Sequence, residues 1–115
     1  MPEPSGIPHF NVHDSASFQP FPEMNGEQAL LYRSPDGTRV AGSFKEAGKH
    51  QMVMPFDELI YLVGGEAHIT VHGVGEVHLR PGDVCYLKQG QTVDFDLSNG
   101  FHDVTVLISD TEIVL

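Results

Sequence analysis

Cysteine is nearly missing from this chain: Cys85 stands alone among 115 residues. A single thiol excludes an intrachain disulfide and any Cys-rich zinc cluster. Basic residues are scarce too, with 6 Lys and Arg against 16 Asp and Glu, a formal charge of −10 with His neutral. That field repels a phosphate backbone and an anionic lipid surface, so neither nucleic acid nor a membrane is an expected partner. No apolar run approaches the ~20 residues of a membrane-spanning helix. The opening MPEPSGIPHF lacks the basic start and apolar stretch of a secretory signal, so the cytoplasm is the expected location. Apolar residues nowhere sustain the helical period of about 3.6 residues. No segment repeats and no low-complexity tract occurs.

What is present is turn chemistry. The chain holds 12 Gly and 8 Pro, with a hydrophobic fraction of 40%, which suits one turn-rich globular domain. Five prolines (Pro2, Pro4, Pro8, Pro20 and Pro22) crowd the start. Proline cannot donate to a β-ladder, so residues 1–27 read as an arm packed over the domain, forming edge structure at most, with its first few residues frayed. Residues 28–115 read as the barrel domain. There, short β-type runs at 29–32, 40–44, 50–54, 58–63, 67–71, 77–79, 84–87, 93–97 and 104–108 are punctuated by Gly, Pro, Asp and Asn, and 113–115 could add a last strand. Such runs at about ten-residue spacing predict an all-β sandwich or barrel with a turn or two of helix at most.

One hairpin can be registered from side-chain chemistry. Pairing Val71 with Val77 sets Ile69 beside Leu79 on an apolar face and leaves Gly73-Val74-Gly75 as the loop. The opposite face then carries His68, Thr70, His72, Glu76, His78 and Arg80. His72 and His78 become diagonal neighbours able to capture an adventitious zinc or nickel ion, although an exposed polar strand surface is the plainer reading.

The punctuation resembles a known family. Glu58-x6-Gly65 resembles the end of the first cupin motif, and Gly82-Asp83-x4-Lys88-x-Gly90 resembles the second, with Lys88 where proline is usual. Gly42-Ser43-Phe44, Gly48-Lys49-His50, Pro55-Phe56-Asp57-Glu58, Gly64-Gly65-Glu66 and Phe95-Asp96-Leu97 resemble the small cupins that include the ethanolamine-utilisation and (S)-ureidoglycine aminohydrolase-like proteins. The resemblance covers about residues 40–108 and implies a cupin-type double-stranded β-helix, a jelly-roll barrel. It also implies pairing into a homodimer, consistent with runs such as Leu59-Ile60-Tyr61-Leu62 that are apolar on both faces.

General cupins hold a divalent metal through two His and the Glu of the first motif and a His of the second. Here the first two positions fall on Gln51 and Val53, or on Met52 and Met54, depending on spacing, and the last falls on Val93. Glu58 is the only retained ligand, so any divalent metal is expected to be weakly held. Alternation places His50 on one face with Met52 and Met54, and the resemblance, whose pattern is apolar at all three positions, implies that this face lines the barrel, where His50 could partner Glu58. The expected pocket is therefore Glu58, His50, Met52, Met54, Val93 and Phe95, above a floor of Ile60 and Leu62. Cys85 reads as a buried inert thiol, and His102 as an exposed histidine beside the carboxylate of Asp103. The expected function is a pocket for a small organic ligand. The alternatives are a metal-assisted or acid–base isomerase, lyase or hydrolase on a small polar metabolite, and a non-catalytic accessory subunit.

Overall fold

A computed structural model describes residues 6–115. The frayed segment expected at the start falls mostly on residues 1–5, outside the described part. Ten strands follow the alternating segments: β1 (Gln19–Phe21), β2 (Gly26–Arg33), β3 (Arg39–Lys45), β4 (Gly48–Val53), β5 (Asp57–Gly64), β6 (Ala67–Val71), β7 (Gly75–Leu79), β8 (Val84–Leu87), β9 (Thr92–Leu97) and β10 (His102–Ile108). Helix is confined to two 3-10 turns, Ser15–Ser17 and Pro22–Met24. Among the described residues, no helix is long and apolar enough to cross a membrane.

The strands form a six-stranded sheet, β1-β2-β3-β10-β5-β8, facing a four-stranded sheet, β4-β9-β6-β7. From β3 onward the chain crosses between the sheets at every connection except β6 to β7. That antiparallel crossing pattern is a jelly roll. Side chains alternate across each strand, so each sheet sends one row inward. Val40, Ile60, Leu62 and Leu107 meet Ile69, Val93, Phe95 and Leu97 in a buried core.

Two glycines fix how the chain closes. A Cβ on Gly26 would lie 1.6 Å from the Lys45 carbonyl oxygen, so β2 approaches β3 this closely only with glycine there. Gly65, the last residue of the first motif, adopts φ +73°, and a Cβ would lie 2.5 Å from the Gly100 carbonyl carbon. Left-handed backbone and lack of space both demand glycine.

Two local expectations need correction. The β6–β7 hairpin pairs Ile69 with Val77 and Val71 with Gly75, two residues away from the expected register. The turn is tighter than expected, closed by the Val74 N–H donating to the Val71 carbonyl at 3.0 Å. Because the pleat has period two, this slip preserves both faces. Residues 113–115 add no strand. Instead Ile113 is buried, donates its N–H to Gly37 at 2.9 Å and accepts from Arg33 at 2.8 Å. The arm does contribute an edge: β1 pairs with β2, despite Pro20.

Candidate functional site

A cavity of about 100 Å³ opens between the sheets. Glu58 on β5 lines it, as do Met52 on β4 and Phe95 on β9. Met54 and Val93 are buried in the core but do not line it. Of the two expected floor residues, Ile60 lines the cavity and Leu62 lies fully buried in the core. Phe21 and Met24 reach the cavity from the arm, and Leu115 from the opposite end of the chain.

The structure does not bring His50 to Glu58. His50 shares the inward row of β4, as alternation requires, but its Nε2 lies 2.7 Å from the Ala47 carbonyl. No hydrogen bond joins the two side chains. A main-chain acceptor three residues away holds the imidazole at the rim, and the expected acid–base pair is absent.

Glu58 meets other acids instead. Asp103 on β10 and Glu46, just beyond β3, line the same cavity. Glu58 is half-buried by accessible surface, because it lines a cavity, yet burial pushes its carboxyl up to about 7, against a hydrogen bond from Thr105. Burial and the nearby Glu58 raise Glu46 to about 7. Burial first, then Glu58 and Glu46, raise Asp103 well above the ordinary carboxylate range. One Asp103 oxygen accepts the Phe44 N–H at 3.1 Å, the only hydrogen bond the side chain makes among the described residues.

Thr105 sits below Glu58 with a proton to allocate. Its Oγ1 lies 2.9 Å from Glu58 Oε2 and 2.9 Å from the Leu59 carbonyl oxygen. One hydroxyl proton cannot serve both acceptors. A protonated Glu58 resolves the conflict by donating to Thr105, which then donates to Leu59. The geometry therefore favours the same neutral form that burial favours.

Asp103 and Glu46 escaped the sequence reading, although Asp103 left a signal. It is in phase with Thr105 and Leu107 on β10, so alternation points it inward. Its neighbour His102 must then point outward, and it does. His102 is not the exposed residue expected. Its Nε2 lies 2.9 Å from Ser43 Oγ, and its ring packs 5.7 Å from Phe18 and 6.2 Å from His13 of the arm. Ser43 donates to the Asp103 carbonyl at 2.6 Å, leaving its lone pairs for an Nε2–H of His102. Burial, then Lys45 and His13, lowers the His102 pKa. Glu46 left no comparable signal, since it lies beyond the last residue of β3.

The remaining titratable groups lie elsewhere. His68 and His78 stack at 4.3 Å on the outer face of the smaller sheet, and His78 contacts Glu66 at 2.6 Å. His72 instead pairs with Asp94 at 2.9 Å, so the expected His72–His78 neighbourhood does not form. The two-residue change of register sets His78 opposite His68. Cys85 is a free thiol on β8, raised to about 11 by burial and then by Glu58 and Asp103, which suppresses its nucleophilicity.

The donor set does not fit the metal centre of general cupins. Gln51 is hydrogen-bonded to Asp94, the residues at 52, 53, 54 and 93 carry no nitrogen or oxygen donor in their side chains, and His50 is turned to Ala47. Among the described residues, no three His, Cys, Asp or Glu side chains converge in a metal-holding arrangement.

The fold has relatives of several kinds. The EutQ protein of Clostridium difficile superposes with TM-score 0.65 at 17% identity, over 94% of this chain and 91% of that one. KdgF from Halomonas sp. gives TM-score 0.68 at 16% identity, over 87% and 94%. Ectoine synthase from P. lautus gives 0.66 at 18%, over 84% and 72%. At these identities the likeness concerns the fold alone. No curated protein matches the sequence. Residues 33–102 match the EutQ-like cupin domain, which covers the Glu58-x6-Gly65 segment, the second motif and most of the cavity-bearing strands, and on that match the chain belongs to the EutQ-like cupin family.

Proposed function

We propose that the chain holds a small organic molecule in the cavity between its sheets and transfers protons to and from it. The observation that carries this reading is the convergence of Glu46, Glu58 and Asp103 on one apolar cavity without a basic side chain in its lining. A carboxyl that titrates near 7 can serve as base in one half of a reaction and acid in the other. Glu58 is the proton-transfer group in this reading, and Thr105 positions it. Proton abstraction and return belongs to an isomerase or lyase on a small metabolite. Any divalent ion at Glu58 would be weakly bound, because the site supplies oxygen donors without the histidines of the family motif. The free thiol of Cys85 suits a reducing cytoplasm.

A screen of small metabolites in D2O tests the reading, with the methyl resonances of Met52, Ile60 and Ile69 reporting binding and ligand C–H signals reporting exchange. A ligand should shift those methyls and exchange a C–H for deuterium. Glu58→Gln should abolish exchange while binding persists. Binding without exchange removes the catalytic half and leaves a binding module. No ligand at all removes both.

A homodimer belongs to the same reading. The outer row of β5, β8 and β10 exposes Leu59, Tyr61, Val84, Tyr86, Val106 and Ile108, each 36–58% accessible. Leu59 sits opposite Tyr86 and Val106, and Tyr61 opposite Val84, so these side chains form one apolar surface. A two-fold contact with a second copy would cover it.

A further inference from the structure

We infer that the cavity selects a small organic cation, a protonated amine on an apolar body of a few carbons, and rejects anions. This inference rests on the ligand-pocket reading above and names the ligand class. Three independent features of the cavity point to it.

The first is a missing charge. The chain has six basic residues (Arg33, Arg39, Lys45, Lys49, Arg80 and Lys88), and none lines the cavity. Lys45 follows Phe44 in β3 and faces outward, over the Phe18 ring at 4.3 Å and 3.8 Å from Glu27. Arg33 is engaged with Glu112 and the Ile113 carbonyl at the chain end, and Arg39 with Thr38 and Ser109. Any of the three acids that ionises finds no counter-charge in the lining and must take one from whatever enters.

The second is unused acceptor capacity. Asp103 is 2% exposed, lines the cavity, and offers only one of its oxygens to a main-chain donor. The other has no hydrogen-bond partner among the described residues and keeps some accessible surface, on a residue that lines the cavity. Glu46 has no hydrogen bond or ion pair among the described residues. A buried carboxylate oxygen without a donor is costly. An ammonium group brings up to three N–H donors and a positive charge together.

The third is the wall. Phe21, Phe44, Phe56, Phe95 and Phe101 line the same space. Phenyl rings accept alkyl surface and stabilise a nearby cation through the ring quadrupole. They offer nothing to a hydrated inorganic ion. Carboxyls and phenyl rings together match an alkylammonium, whose head and body need these two environments. A phosphate or carboxylate would meet three acids and no donor of positive charge.

The test uses the full chain at neutral pH and three matched probe sets: linear alkylammonium ions, alcohols and carboxylates of equal chain length. Methyl resonances of Met52, Ile60 and Ile69 report occupancy. The ammonium ions should bind at least about tenfold more tightly than the alcohols, the difference one charge-assisted hydrogen bond supplies, and the carboxylates should not bind. Glu46→Gln, which breaks no hydrogen bond, should weaken the ammonium ions by a similar factor and leave the alcohols unchanged. Asp103→Asn is the second variant, should Glu46→Gln unfold. Alcohols binding as well as ammonium ions, or carboxylates binding best, would overturn the cation inference and leave the pocket standing. Silence from all three sets would overturn the pocket reading with it.

Discussion

Glu58 and Glu46 carry a cost that depends on pH. Each has an ordinary value of 4.5 that burial moves to about 7. The folded state therefore binds their protons more tightly than the unfolded state. Stability present below about 4.5 is lost as pH rises toward 7, and Asp103 acts in the same direction. The exposed carboxyls work the other way. Asp36 is lowered to about 2, chiefly by hydrogen bonds from Thr38 and Ser34, so its contribution is lost as pH falls below 3.8. The melting temperature should peak at an acidic pH, about 4 to 5, and fall toward pH 8. Glu58→Gln should flatten that decline. At pH 8 it should melt a few degrees higher than the parent, about what 1 kcal/mol does in a domain of this size. At pH 4.5 the two should coincide. Scanning calorimetry across that range decides it, and a variant that melts lower at pH 8 would show that Glu58 is not a charge burden. Gly26→Ala is the opposite kind of residue-scale change. Its new Cβ meets the main chain of Lys45, which cannot swing aside, so a loss of about 3 kcal/mol is expected in denaturant unfolding.

At the scale of strands, alternation carried most of the information. The segments 67–71 and 84–87 coincide with β6 and β8, because a glycine lies within three residues of each end, and the first alternates apolar with polar residues while the second is a short apolar run. The hairpin register failed by two residues, since a shift by a full pleat leaves both faces unchanged and only the turn distinguishes the alternatives. The site was legible in part. Glu58 was marked by its motif position, and Met52 and Phe95 by inward phase. His50 was misleading because phase says which face a side chain occupies, not which acceptor captures it. Asp103 was hidden by the apolar expectation for inward positions, and Glu46 by lying outside any strand. The arm also carries contacts that sequence could not register, since Phe18 meets His102 across 84 positions of chain. Phe18→Ala would expose His102, whose burial is the largest cause of its lowered pKa. Its titration, followed by the imidazole proton resonances, should move upward in that variant. An unmoved titration would assign the shift to Lys45 and His13 instead.

The whole molecule presents two different outer faces, and the contrast bears on assembly. On the smaller sheet, Lys49, Gln51, His68, His72, Asp94 and Asp96 give a polar surface laced by cross-strand hydrogen bonds such as Gln51 to Asp94 at 2.6 Å. On the larger sheet, the arm covers one end, where His13 and Phe18 pack on His102, while the Leu59–Tyr86–Val106 surface stays open. The chain carries −10 charge overall, so two copies repel at long range and need an apolar contact to associate. Such a contact should tighten as salt screens the repulsion. The dimer should therefore dissociate less at 0.5 M salt than at 0.05 M, the reverse of an association held by ion pairs. Leu59 lies at the centre of the surface and points outward, so Leu59→Glu should leave the fold intact and add a charge that the contact would have to bury. Sedimentation should give a dimer for the parent at micromolar concentration and a 12.6 kDa species for the variant, with unchanged circular dichroism. A parent that sediments as a monomer at every salt concentration would remove the second copy as the occupant of this face. A variant that still dimerises would place the contact elsewhere.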